Sequence, residues 1–291
     1  MIIPLRRVVL ALSVLALTAT AACGSTEAPA SKAAAPQAVA PQQKAGPAAD
    51  AAPQKPMTLP ATASGRAAVF LNGPRDTADR TVALTFDADM TADQTDRAAG
   101  GERFDNPDLI SVLRREKVPA TVFMTGMWAR TYPGQARSIG RDPLFEVGNH
   151  SFSHHAFTGP CHGLPVLDPG RQRAEVREGF AALRAAGVPE PVPYFRFPGG
   201  CHDDAALRAV GAEGATAIQW DVMSGDPFND DADDVVSRVL DGVRPGSVVV
   251  MHCTLSAAPA TAEAVRRLVP ELRERGYRFV KVSDLVAASV S

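Results

Sequence analysis

Two pairs of residues in this chain are spaced for chemistry. His150 and His154 stand four residues apart in His150-Ser-Phe-Ser-His154, and Asp87 and Asp89 stand two apart in Thr85-Phe-Asp-Ala-Asp-Met90. Histidine is scarce, six in 291 residues, and three of the six fall between 150 and 155. If the first segment turns helically, both imidazoles point at one place; on a strand, the two aspartates share a face. Two carboxylates at one strand end repel unless a proton or cation lies between them. Neutral imidazoles plus one carboxylate make a three-ligand set with an open fourth position, the arrangement of a catalytic zinc rather than a structural one. Taken alone, each motif also has a plainer reading: a surface turn with two acids, and a pair of solvated or capping histidines.

These residues need elements to position them. Short apolar runs predict strands at 82–87, 120–125, 145–150, 193–196, 216–220, 247–251 and 278–282. On the first, Val82, Leu84 and Phe86 face one way and Ala83, Thr85 and Asp87 the other. Helices lie between the strands. Asn106-Pro107 supplies an N-cap and an N1 proline to a helix over 108–117, closed by Val118-Pro119. Asp168-Pro169 opens a long one that runs to Gly187, Asp230 or Asp231 precedes 233–243, and 260–275 ends at Gly276. Asp203, Asp204, Asp230 and Asp231 read as cap or surface acids. Strands alternating with helices indicate a parallel sheet under helical cover, and seven strands fit an α/β fold of the (β/α)-barrel type, distorted or incomplete. Asp87, His150, Arg196, Asp221 and His252 each fall at or just past the C-terminal end of an expected strand, the face where barrel enzymes build their sites.

At 45% hydrophobic residues the chain can bury a full core, and a net charge of -2 gives no footprint for nucleic acid or an anionic membrane. Arg6-Arg7 followed by a short apolar run reads as an export signal over 1–22, too short for a membrane span. Thr20-Ala-Ala-Cys23 resembles a bacterial lipoprotein signal, which makes Cys23 the lipidated residue. Residues 23–65 are rich in Ala, Pro and Gln without hydrophobic period, and read as a tether reaching about 35 Å. The expected location is the outer face of a bacterial cell membrane, held only by the lipid, or the medium if Cys23 is not lipidated. The catalytic domain is expected over 66–291.

The order of motifs over about residues 80 to 285 resembles the polysaccharide deacetylases, carbohydrate esterase family 4, also called the NodB-homology domain. Thr85-Phe-Asp87-Ala-Asp89 is similar to the first family motif, with Ala88 set between aspartates that are more often adjacent. The resemblance implies that Asp87 is the catalytic base and Asp89 a metal ligand. His150-Ser-Phe-Ser-His154 matches the second motif and implies two further ligands, with Zn²⁺ the expected ion and Co²⁺ or another divalent metal the alternative. Arg196-Phe-Pro198-Gly-Gly200 matches the third: Arg196 would orient the base, and a backbone N–H near Gly199 would help hold the oxyanion. Gly199 stands where the family often has Tyr, which predicts a more open pocket. Trp220-Asp221-Val-Met-Ser-Gly-Asp226 matches the fourth, with Trp220 at the substrate and Asp226 behind the catalytic His. Pro227 replaces the frequent Trp that follows. Val250-Met251-His252 matches the fifth and makes His252 the general acid.

Cys161 and Cys201 belong to loops over one face, and export permits a bridge between them. Cys253 is turned away from the pocket by strand alternation and reads as a small buried side chain. Cys161-His162, Cys201-His202 and His252-Cys253 raise a second zinc site, but the spacings match no Cys-x2-Cys pattern. The expected activity is metal-dependent removal of acetyl groups from a carbohydrate polymer, foremost N-acetyl from amino sugars of a peptidoglycan or chitin type, by a monomer. The alternatives are an O-acetyl xylan esterase, a glycan-binding module with a degenerate site, and an amide hydrolase of another substrate class.

Overall fold

The computed structural model describes residues 56–290. The expected signal, Cys23 and most of the tether therefore lie outside the described residues. Among the described residues, nine strands form one sheet: β1 (Val69–Phe70), β2 (Thr81–Ala88), β3 (Ala120–Met124), β4 (Phe145–Asn149), β5 (Tyr194–Phe195), β6 (Thr216–Ile218), β7 (Val222–Met223), β8 (Ser247–His252) and β9 (Arg278–Phe279). Their order is β1-β6-β5-β4-β3-β2-β8-β7, with β9 also on β2, and every strand pair is parallel. All seven expected strands are present. β1 and β7 are additions of two residues each, too short to carry an alternation. The runs expected over 216–220 and 278–282 stop early, at Ile218 and Phe279.

Past β6 the chain crosses between the two edges of the sheet. The Gln219 N–H donates to Phe70 O (2.9 Å) on β1, and the Asp221 N–H to Val248 O (3.2 Å) on β8. The sheet is thereby curled into a distorted (β/α) barrel. This crossing corrects the position expected for Asp221. Its carboxylate takes the Val248 N–H (2.7 Å), Ser247 Oγ (2.8 Å) and Arg75 Nη2 (2.6 Å), at the start of β8, whereas His252 ends that strand. Asp221 thus ties the far end of the barrel.

Alternation along β2 sorts the core. Val82, Leu84 and Phe86 pack outward with Leu109, Val112 and Leu113 of helix Pro107–Arg115 and with Val265, Leu268 and Leu272 of helix Thr261–Glu274. Each such fully buried side chain contributes roughly 1.5–3 kcal/mol. Ala83 faces inward to Phe123, Tyr194 and Val248, closed from below by Val282, Leu285 and Val286 of helix Val282–Val290. The caps follow the sequence: Asn106 Oδ1 accepts from Leu109 N–H (3.0 Å), Asp231 caps helix Ala232–Gly242, and Asp203 caps helix Asp204–Gly211. Gly187 and Gly276 take φ of 92° and 80° at their helix ends, where a β-carbon would be strained. No helix among the described residues is long and apolar enough to cross a membrane.

The folded part begins before residue 66. Tyr194 Oη donates to Met57 O (2.8 Å) and the Leu59 N–H to Thr216 Oγ1 (2.9 Å), so the last residues assigned to the tether lie on the domain. Composition concealed this, because two backbone contacts need no hydrophobic period. Cys161 and Cys201 form a disulfide, with Cα atoms 6.0 Å apart, that joins the loop after β4 to the turn after β5. Cys253 is free and buried. Replacing Cys161 and Cys201 together by Ala is expected to lower the unfolding free energy by about 2–4 kcal/mol, as for a bridge across a loop of this length. Urea unfolding of the oxidised parent and the variant checks this; equal midpoints would mean that packing alone holds the loop.

Candidate active site

Strand register brings the first groups together. Asp87 on β2 is the direct partner of His252 on β8, and in a parallel pair such residues share a face. On the other side, Asn149 pairs with Phe195, and Arg196 N–H donates to Asn149 O (2.9 Å), which sets His150 and Arg196 side by side past β4 and β5. Arg196 is fully buried and its Nη1 donates to Asp87 Oδ1 and Thr85 Oγ1, both at 2.8 Å. Its guanidinium lies 4.1 Å over the Phe123 ring and 5.5 Å from that of Trp220.

The His150–His154 segment is not helical. Ser151 and His154 take left-handed φ of 74° and 60°, and these two residues, not a helical turn, bring the imidazoles to 5.0 Å between centroids. Ser151 Oγ accepts the His154 N–H (3.0 Å). Glu175, from helix Gln172–Ala185, accepts the N–H groups of Phe152 (3.0 Å) and Ser153 (2.5 Å) and the Ser153 hydroxyl (2.6 Å). Ser151 lies inside the motif itself, whereas Glu175 had no local signal, lying over twenty residues away in an amphipathic helix.

His150 Nδ1 lies 3.0 Å from Arg196 O, and because a carbonyl only accepts, Nδ1 carries the proton and Nε2 presents its lone pair. Burial lowers the His150 pKa against the pull of Asp87 and Asp89, and lowers that of His154 to about 4 against Asp89. Both rings are neutral at pH 7, the form that can ligate a cation. For Asp89, burial opposes ionisation, but His154, His252 and the Thr254 hydroxyl outweigh it and hold the carboxyl below its usual range. Thr254 Oγ1 donates to Asp89 Oδ1. Thr254 was legible in principle, two residues past His252 and so on its side of the strand line.

His154 Nε2 is 3.6 Å from Asp89 Oδ2, and His150 Nε2 is 3.7 Å from Asp87 Oδ2. These gaps are too long for hydrogen bonds, and near the ~3.3 Å that separates two ligands of one tetrahedral ion with bonds of about 2.0–2.1 Å. The donor set fits a divalent cation in chemistry, and of the expected ligands the His154–Asp89 pair fits it in spacing, the other pair including Asp87, the expected base. As a trio, Asp89, His150 and His154 stand wider than a closed cage. The only trio of ligand atoms within 4.8 Å of one another among the described residues is Cys161, His162 and Cys201, whose sulfurs are joined in the disulfide.

Across from the histidine pair, His252 Nδ1 is 2.8 Å from Asp226 Oδ1. Asp226 is fully buried and also accepts from the His252 N–H (2.7 Å), Thr261 Oγ1 (2.6 Å) and Ser224 Oγ (2.8 Å). Burial opposes protonation of His252, but the charge and hydrogen bond of Asp226 outweigh it and raise the pKa to about 9. Burial likewise opposes ionisation of Asp226, and His252, Thr261 and Ser224 overcome it to lower its pKa. Gly199 and Trp220 line the same cleft. The more open pocket expected at Gly199 is not found. Gly199 has φ 63°, and a β-carbon there would come within 2.6 Å of Cys161 Sγ, so the disulfide loop fills the space a side chain would take.

With this geometry in hand, the likeness to known proteins is specific. The sequence profile of the Polysaccharide deacetylase family matches residues 74–218. A chitooligosaccharide deacetylase of Bradyrhizobium sp. (strain ANU 289) is 30% identical over 218 residues, covering 71% of this chain and 90% of that protein. A peptidoglycan-N-acetylglucosamine deacetylase of Bacillus cereus is 28% identical over 214 residues, 72% of this chain and 89% of that one. Among solved structures, a mutant of a Bacillus anthracis CE4 family pseudoenzyme with restored enzymatic activity superposes with a TM-score of 0.61 at 25% identity, over 76% of this chain and 72% of that chain. The chain belongs to the polysaccharide deacetylase family.

The His252–Asp226 pair generates a test of sign. Asp226→Asn removes the charge that raises the His252 pKa and leaves the burial that lowers it. The pKa is expected to fall from about 9, followed by the His252 ring resonance in an NMR pH titration. An unchanged titration would mean that Asp89 and Asp87 hold the imidazolium without Asp226.

Proposed function

We propose that this protein is a metal-dependent hydrolase that removes N-acetyl groups from an amino-sugar polymer, foremost wall peptidoglycan. The observation that carries the proposal is the pairing in register of Asp87, bonded to Arg196, with His252, bonded to Asp226. A base and an acid thus stand next to one another beside two neutral imidazoles. Asp89, His150 and His154 are the residues that would hold a divalent ion, zinc before cobalt. When bound, such an ion supplies Lewis acidity to the acetyl carbonyl and to the attacking water.

The chain's own groups do the rest. Asp87 takes the proton of the attacking water through Oδ2 while Arg196 fixes Oδ1, so the carboxylate cannot swing away. The Gly199 backbone and Trp220 line the same cleft, where an N–H of that turn would meet the oxygen on which charge develops and Trp220 would wall the acyl group. An amide nitrogen leaves only when protonated, and His252, an imidazolium at neutral pH, supplies that proton while Asp226 orients the ring. This requirement favours N-acetyl over O-acetyl, since an alkoxide leaves with less help. Export and lipidation at Cys23 belong to the same proposal: they would put the enzyme on the outer membrane face, where wall glycan lies.

Acetate release from N-acetyl chitooligosaccharides, peptidoglycan and acetylated xylan tests it, using metal-stripped and zinc-reloaded protein. Release is expected from the amino-sugar substrates only after reloading, and Asp87→Asn or His150→Ala should lower kcat/KM by at least about 10²-fold. Release from xylan alone would replace the proposal with an O-acetyl esterase. No release and no bound metal would replace it with a glycan-binding module.

A further inference from the structure

Phe228 is 74% exposed, the most exposed large hydrophobic side chain among the described residues. One exposed apolar residue is ordinary. This one lines the mouth of the catalytic cleft, with Met223, itself 54% exposed, on the same lining. It is also held rigidly. Phe228 ends the single turn Asp226–Phe228, whose first residue is the carboxylate fixed by His252, Thr261 and Ser224. Its N–H donates to Gly225 O (3.1 Å), and the next residue, Asn229, is tied through its side chain to Asp234.

A second ring meets it from the opposite wall. His162 is exposed, lines the same cleft, and has its ring centroid 6.3 Å from that of Phe228 with 43° between planes. It sits at φ 47° in a tight turn closed by Leu164 N–H to Cys161 O (2.9 Å), directly beside the disulfide. That turn also occupies the space over Gly199, where a β-carbon would come within 3.3 Å of His162 Cδ2. Two aromatic rings, one on each wall, thus form a shallow notch beside His252 and Asp226.

We infer that Phe228 and His162 form a binding platform for a pyranose ring of the glycan, adjoining the sugar that is deacetylated. The inference rests on the deacetylase reading and gives that reading a substrate-length requirement. A pyranose offers a face of axial C–H bonds that packs on an aromatic ring, while its hydroxyls stay at the edge. Phe228 supplies the flat apolar face. The imidazole of His162 adds a second face together with ring nitrogens that can meet a hydroxyl. A small acetylated compound without the neighbouring sugar would leave both rings in water.

The test is binding, separate from turnover. The Asp87→Asn protein is titrated with N-acetyl chitotetraose by calorimetry, alone and with Phe228→Ala, Phe228→Trp or His162→Ala added. Phe228→Ala is expected to weaken the Kd by roughly three- to tenfold and Phe228→Trp to restore it, the range of one aromatic stacking contact. His162→Ala should give a smaller loss, and thermal midpoints of all four proteins establish that they fold. Equal Kd values for Phe228→Ala and its parent would overturn the inference, as would a loss that Phe228→Trp does not recover, or no binding by the parent. Tight binding that depends on the ring, with no acetate release by the wild-type protein, would leave the platform standing and remove the deacetylase reading instead.

Discussion

The guanidinium of Arg196 has no contact with solvent, and the site is assembled around that fact. A buried charge is tolerated only when it is paired and its donors are used. Here Asp87 supplies the countercharge, Thr85 and the carbonyls of Ile218 (3.3 Å) and Gln219 (3.4 Å) take further donors, and the Phe123 face covers the plane. The same residue's backbone carbonyl sets the tautomer of His150. One side chain therefore links β2 with the end of β6, while its own backbone spans β4 and β5. Displacing it would strand a carboxylate and unpin the segment that crosses the barrel.

Around that anchor, two histidine environments are driven in opposite directions by the same low polarity. His150 and His154 face carboxylates at 3.7 and 3.6 Å, too far for a hydrogen bond, and burial prevails. His252 is in direct contact with a carboxylate that three other donors stabilise, and the pair prevails over burial. About one ångström of separation thus divides rings suited to giving a lone pair from a ring suited to giving a proton.

Much of this was legible in the sequence because it rests on short-range rules. Strand alternation alone separates Phe86 from Asp87, and Asn106, Asp203, Asp231, Gly187 and Gly276 announce helix ends by their chemistry. Positions at strand ends brought Asp87, His150, Arg196 and His252 to one face. The same rule failed for Asp221, because the chain leaves the sheet at Ile218 and crosses to β8, and a crossing has no local signature. The supports of the site were also hidden: Glu175, Thr261 and Ser224 act through side chains that meet their partners only in the folded barrel. The left-handed residues Ser151 and His154 are neither Gly nor Asn, so nothing in their type marked the turn that aims the imidazoles.

The contacts of Met57 and Leu59 carry a consequence of orientation. Thr216 is the first residue of β6, and the Tyr194 hydroxyl is reached from the same end of the barrel, below Arg196. Asp87, His150, Arg196 and His252 sit at the opposite ends of their strands. The polypeptide thus joins the domain at the base of the barrel, and the cleft looks out from its top. Residues 57–59 therefore stay clear of the cleft, and its mouth is bounded by the loops that follow the strands, among them those carrying His162 and Phe228.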